Sequence, residues 1–316
     1  MNNWMEQMSL SIGGKRIKDL VLPGTHDSAS YSCDTKYGFL PMAPTVVTYP
    51  CIKNLALSWA ISQRDNLYGQ LCKGARYLDL RVCKSTIDME IRTEHTVLGE
   101  KYQQLLKDIG RFADENPKEI IVLCFSHFRY NKKYPMSYQD HKNLCNMIKE
   151  TLGDKLINRN EEFDTINELW SKNKQILIIY QHDLHDLHDL HNHDFLINGY
   201  NTMSIPWANK PRIGQLLTSL ETIVNNRDNK QYFCLQCCVT PDTLTIVKGI
   251  ICCNPTSLLQ LGDNVCEPIN NFLLKYKSTR KLNFVIFDSI GSASDIVTML
   301  VEMNNVIWNM SSFLTH

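Results

Sequence analysis

Short apolar runs rich in Val, Ile and Leu recur from one end of this chain to the other, and no other feature constrains its folding as much. Runs of this composition are the signature of buried parallel strands rather than of amphipathic antiparallel ones. They fall at residues 17–22, 77–82, 87–92, 119–125, 175–180, 201–205, 232–239 and 283–287. Helix-period stretches lie between several of them: 102–112 with Leu105, Ile109 and Phe112 in phase, 138–152 with Leu144 and Ile148, and 213–224. Gly153 ends the second as a C-cap would. About eight strands alternating with helices predict an α/β fold, closed into a distorted (β/α)8 barrel of the TIM type. No linker of Gly, Ser and Pro divides the chain, so residues 1–316 read as a single domain.

Lysine plus arginine and aspartate plus glutamate number 33 each, so no bulk field holds the chain on nucleic acid or on an anionic surface. An anion it binds must be gripped locally. The N-terminus lacks a basic segment followed by an apolar run, and no stretch reaches transmembrane length; the expectation is a cytoplasmic protein. Several of the twelve cysteines, Cys83, Cys124 and Cys237 among them, sit in strand-like runs and read as reduced, buried small hydrophobes. The lone CxxC, Cys234 to Cys237, lies inside a strand pattern and suggests no zinc. His182-Asp183-Leu184 repeats at residues 185–187 and 188–190, before His191, His193 and Asp194. This low-complexity insertion at about 182–194 could gather a divalent metal if helical, or be an idle solvated loop.

The first strand runs into Pro23-Gly24-Thr25-His26-Asp27-Ser28, a turn that delivers His26 and Asp27 at the C-terminal end, where barrels keep their chemistry. In Tyr77-Leu78-Asp79-Leu80-Arg81-Val82, period-two geometry puts Asp79 and Arg81 on one face of a strand that is otherwise apolar. A buried guanidinium needs a partner, so the pair is a salt-bridged core feature or the rim of an anion site. Glu94-His95 supplies a second histidine after a third strand pattern, and all these groups could converge on one mouth.

The blocks Pro23-Gly24-Thr25-His26-Asp27-Ser28 and Leu78-Asp79-Leu80-Arg81-Val82 resemble the X domain of phosphatidylinositol-specific phospholipases C, and more closely the small animal PI-PLC X domain-containing proteins. Weaker blocks continue in the family's order: Phe125-Ser126-His127-Phe128, Pro206-Trp207-Ala208-Asn209 and Phe284-Val285-Ile286-Phe287-Asp288. The resemblance implies a phosphodiesterase acting on phosphatidylinositol at a membrane surface, as a monomer. It implies His26 as general base toward the inositol 2-hydroxyl and His95, assisted by Asp27, as general acid toward the leaving diacylglycerol. Asp288 would orient His26, Arg81 would grip the phosphodiester, and Asp79 would fix Arg81. His127 is a candidate substrate contact or a structural histidine. Trp207 could wall the inositol ring or cap the barrel. Calcium-dependent members carry a carboxylate where this chain has Arg81, so neither metal nor cofactor is implied. The chain departs from the family at Thr96, usually glycine, and at Cys124 and Ser126, usually aspartate and asparagine. The departures keep open a barrel that binds phosphoinositide headgroups or a protein partner with little turnover. A metal-dependent glycerophosphodiester phosphodiesterase would share the barrel but need a carboxylate cluster for its ion.

Overall fold

The computed structural model describes residues 1–50, 52–183 and 193–309. Eight parallel strands form one curled sheet: β1 (Leu22–Thr25), β2 (Tyr77–Lys84), β5 (Ile121–Arg129), β6 (Ile176–Tyr180), β7 (Leu196–Asn198), β8 (Met203–Ser204), β9 (Tyr232–Gln236) and β10 (Phe284–Phe287). Their order is β7-β6-β5-β2-β1-β10-β9-β8, the order of a (β/α)8 barrel opened between β7 and β8. Among the described residues no ladder joins those two. The runs that are apolar throughout became the central strands, and β6, β10 and most of β5 are buried at every position.

Three expectations are corrected. Residues 17–22 form a short 3-10 turn at Ile17–Asp19 rather than a strand. Its carbonyls are satisfied from the side, because the buried Asn283 amide donates to the oxygens of Ile17 (3.3 Å) and Leu20 (2.8 Å). The run at 87–92 is mostly a turn, since Ser85 Oγ accepts the amides of Ile87 and Asp88. The strand there, β3 (Ile91–His95), begins later and pairs antiparallel with β2 and with β4 (Val97–Lys101), so the sheet is not purely parallel. At 201–205 a helical turn, Gly199–Thr202, leaves only β8 as strand.

The helix Tyr138–Leu152 has both predicted ends, with a capping box between Ser137 and Asp140 and Gly153 at φ 52°. The helix Leu258–Leu274 was not foreseen; it packs behind β10, with Gly262 against Asp288. A Cβ at 262 would lie 2.8 Å from the Asp288 Cβ, so only glycine lets helix and carboxylate approach this closely. One hydrophobic cluster runs from Trp4 to Met303. At the N-terminal end of the barrel Arg76 and Glu119 form a fully buried pair, with Glu119 Oε2 accepting from Nε at 2.8 Å and Nη2 at 2.5 Å.

Candidate functional site

A cavity of about 670 Å³ opens at the C-terminal ends of the strands. It is lined by His26 after β1, Asp79 and Arg81 in β2, His95 ending β3, Cys124, Ser126, His127 and Arg129 in β5, Gln181 after β6, Trp207 after β8 and Cys238 after β9. The residues singled out from sequence therefore do converge, and Asp288, directly after β10, joins them through His26.

His26 Nδ1 lies 2.8 Å from Asp288 Oδ1, a contact that orients the ring from its buried side. On the other side Arg81 Nη2 donates to His26 Nε2 at 2.9 Å, and Asp27 Oδ2 stands 3.5 Å from the same nitrogen. Burial disfavours a charge on this ring, but Asp27 and Asp288 outweigh it and push its pKa up to about 9, with Arg81 pulling back. The two contacts of Nε2 belong to two protonation states: the neutral ring accepts from Arg81, and the charged ring turns its proton to Asp27.

His95 is held differently. Its Nδ1 donates to the Ala60 carbonyl at 2.7 Å, and its Nε2 lies 3.3 Å from Asp27 Oδ2. Burial lowers its pKa; Arg81 and His26 act the same way, against Asp27. The two rings stand edge to face with centroids 6.4 Å apart. Asp27 is thus shared by both histidines and by Arg81, whose Nε contacts its Oδ1. Burial would raise the Asp27 carboxyl, yet Arg81 and the histidines hold it down at about 2.

The expected partner of Arg81 is corrected here. Asp79 Oδ2 is 4.0 Å from Arg81 Nε and mainly accepts the Asp27 amide at 3.0 Å, so Asp27 is the principal anchor of the guanidinium. Neighbours at i and i+2 on a strand are about 6.6 Å apart, farther than a side chain offered by the adjacent strand. His127 Nδ1 meets Glu94 Oε1 at 2.7 Å, and Arg129 Nη1 donates to the same oxygen at 3.0 Å. Trp207 is 61% exposed at the rim and donates from Nε1 to Thr240 Oγ1, so it is not packed as a cap.

Sequence reasoning missed the segment that holds both histidines. Besides the Ala60 carbonyl, Ser62 Oγ donates to the His26 carbonyl at 2.9 Å, and the buried Gln63 amide donates to the carbonyls of His26 (3.1 Å) and Phe287 (3.0 Å). These are ordinary polar residues after an apolar stretch, and nothing in their order marks them as buried. Glu94 and Arg129 were also missed as a pair, since they come from different strands.

Thr96 adopts φ 66°, a left-handed conformation that favours glycine, in a one-residue turn between β3 and β4. A β-branched residue there is strained by roughly 1–2 kcal/mol. Thr96→Gly is expected to be about 1 kcal/mol more stable than Thr96→Ala, measured by denaturant midpoint, because only glycine escapes the strain. Cys124 is buried in the cavity wall, and burial first, then Asp79, pushes its thiol up to about 12. A neutral thiol therefore stands in this part of the cavity wall.

His26, Asp27 and Asp79 offer donor atoms within 4.8 Å of one another, a geometry that could hold a cation. The Arg81 guanidinium already lies against that group and supplies the positive charge there.

Raised His26 links folding to pH. Its folded value, about 9, lies above the 6.5 of a free imidazole, so its contribution is complete below pH 6.5 and lost as pH rises through about 9. The shift corresponds to about 3 kcal/mol. The unfolding free energy is expected to fall across this window by that order more in the parent than in His26→Asn, measured by urea titration.

Comparison with known proteins agrees with this geometry. Residues 50–182 match the family model for the phosphatidylinositol-specific phospholipase C X domain. Human PI-PLC X domain-containing protein 2 is 32% identical over 260 residues, covering 79% of this chain and 81% of the relative. PI-PLC X domain-containing protein 3 of Bos taurus is 28% identical, covering 96% and 94%. The phosphatidylinositol-specific phospholipase C of Listeria monocytogenes superposes with a TM-score of 0.65 at 18% identity, covering 96% of this chain and 98% of that one. In fold, then, the chain is an α/β barrel of the kind found in bacterial phosphatidylinositol-specific phospholipases C. It belongs to the family of PI-PLC X domain-containing proteins. No helix among the described residues is long and apolar enough to cross a membrane.

Proposed function

We propose that this protein cleaves phosphatidylinositol to diacylglycerol and inositol 1,2-cyclic phosphate by metal-independent acid-base catalysis. The observation that carries the reading is the pair of histidines flanking Arg81 and Asp27. Each has its Nδ1 fixed, by Asp288 or by the Ala60 carbonyl, which leaves both Nε2 atoms for proton transfer. The phosphodiester would sit on Arg81, a planar and permanently charged donor suited to it. As it binds, it would compete with His26 for the guanidinium. Neutral His26 would take the proton of the inositol 2-hydroxyl while that oxygen attacks phosphorus. Protonated His95, steadied by Asp27, would give its Nε2 proton to the departing diacylglycerol oxygen. Slower attack by water, with the roles reversed, would open the cyclic ester to inositol 1-phosphate. Asp79 and His127 line the cavity as candidate contacts of the sugar, with Trp207 at its rim.

The opposite shifts of the two histidines have a consequence. With His26 raised and His95 lowered, the state with a neutral base and a charged acid is a minority across the neutral range, which limits turnover. The neutral thiol of Cys124 supports a second reading, a barrel that binds the headgroup and turns over little.

Docking at a lipid surface is supported by the helix Thr243–Cys252, which follows β9 on the side of the cavity mouth. It leaves Leu244, Ile250 and Ile251 exposed, Ile251 at 74%, and Trp207 lies on the same side. The double substitution Ile250→Asp and Ile251→Asp is expected to weaken sedimentation with phosphatidylinositol vesicles at least about tenfold while leaving the fold intact. The free thiols buried along the strands support a reducing compartment, the cytoplasm. The reading treats residues 1–316 as one catalytic unit, in keeping with the continuous core.

The test is phosphorus NMR of vesicles incubated with the protein. A five-membered cyclic phosphodiester appearing first, with inositol 1-phosphate following, supports the reading. Bound headgroup without product supports the second.

A further inference from the structure

The mechanism leaves one group of this site unused. Cys238, after β9, lines the cavity, and its thiol lies with a ring nitrogen of His26 and a carboxylate oxygen of Asp288 so that all three are within 4.8 Å of one another. The thiol's own hydrogen bond is a weak one, to the Ile286 carbonyl at 3.8 Å. Asp288 already faces Nδ1 of His26 at 2.8 Å, so a cation shared by the three would take that nitrogen. One sulfur, one imidazole nitrogen and one carboxylate oxygen form a ligand set for a thiophilic divalent ion, and the open cavity supplies a route and a fourth, water position. Around such an ion the donors stand about 3.5 Å apart, so the Cys238 thiol would move inward from a separation of at most 4.8 Å while the His26–Asp288 contact opens from 2.8 Å. Charge favours the same outcome. Asp27, Asp79 and Asp288 gather three carboxylates around one guanidinium, and Arg81 contacts the opposite, Nε2 side of His26.

We propose that His26, Cys238 and Asp288 form an inhibitory zinc site; the inhibition rests on the reading of His26 as the base. On binding, the Cys238 thiol releases its proton to solvent and its sulfur bonds the ion. Nδ1 of His26 gives its lone pair to the metal, so the proton the neutral ring retains sits on Nε2. That nitrogen must be free to accept the proton of the substrate hydroxyl. A bound ion therefore turns the base into a donor.

Zinc binding is measured by competition with a chromophoric chelator, and cobalt is used as a spectroscopic substitute. The parent for this test carries Cys51→Ser, Cys252→Ser and Cys253→Ser, the last two removing the thiols exposed among the described residues. The sequence of the histidine repeat, residues 182–194, contains no cysteine, so any zinc taken up there would carry no thiolate. Only a cysteine site therefore gives the near-ultraviolet sulfur-to-cobalt charge-transfer band. One equivalent of cobalt giving that band is expected. Cys238→Ser is expected to abolish the band and weaken zinc at least tenfold, and Asp288→Asn to weaken zinc with the band retained. Calcium and magnesium, which prefer oxygen ligands, should not compete. Parent affinity and an intact band in Cys238→Ser would overturn the site. Turnover of phosphatidylinositol with and without zinc is then compared within each protein. A ratio that falls in the parent and recovers in Cys238→Ser supports inhibition, and an active parent that binds zinc without slowing overturns it. A parent without turnover defeats the catalytic reading and the inhibition together, while the cobalt and chelator titrations still decide the site.

Discussion

Replacing His26 by alanine is expected to lower the rate of cyclic phosphate release from phosphatidylinositol vesicles by 10² to 10⁴, the usual worth of one positioned proton transfer. The substitution removes a ring whose Nε2 touches the Arg81 guanidinium and whose Nδ1 is held by the buried Asp288 carboxylate. Asp288→Asn should fall between the two, because the ring keeps its place but loses the carboxylate that holds its tautomer and favours its charge. Arg81 and Asp27 remain in His26→Ala, so headgroup binding should change much less than turnover. A loss confined to binding, with the turnover of bound substrate unchanged, would remove His26 from the role of base.

Arg76→Leu is expected to destabilise the fold by about 3–5 kcal/mol, read as a lower urea midpoint at constant slope. Arg76 and Glu119 are both fully buried, and the guanidinium also donates to the carbonyls of Leu71, Ala75 and Asn2. Burial pushes Glu119 up and pulls Arg76 down, and each is the other's main compensation. Removing the arginine leaves a carboxylate in an apolar environment, where its remaining donors are the amides of Met5 and Glu6. Replacing both partners by apolar residues should cost less than replacing one. The pair lies at the barrel end opposite the cavity, so residual activity per folded molecule should be unaffected.

The architecture was legible wherever burial on both faces left a mark. Runs such as 119–125, 175–180 and 283–287 read as covered strands; the last two fall within a residue of β6 and β10, while β5 starts two residues later than its run and continues four residues beyond it, to Arg129. The helix Tyr138–Leu152 was legible at both ends because local chemistry sets each of them. What could not be read depends on partners distant in sequence. Residues 17–22 are as apolar as a strand, but Asn283 satisfies their carbonyls from 266 positions away. Helix Thr243–Cys252 shows its apolar residues to solvent, which a burial argument cannot anticipate.

The site divides in the same way. His26 and His95 stand at strand ends and Asp79 and Arg81 within β2, whose neighbouring strands share the same mouth, so their convergence followed from topology. Which carboxylate anchors Arg81 did not, because the distance along β2 competes with a contact across to the turn after β1. Ser62, Gln63 and the Ala60 carbonyl support both histidines from a loop whose sequence carries no periodic signal. The His-Asp-Leu repeat lies almost wholly outside the described residues.

Under the proposed mechanism a guanidinium, and no metal ion, supplies the positive charge at the phosphodiester. Turnover of phosphatidylinositol vesicles by the parent protein in excess EDTA tests it most directly. Cyclic phosphate release is expected at the rate seen without chelator. Activity that disappears in EDTA and returns with calcium would contradict it.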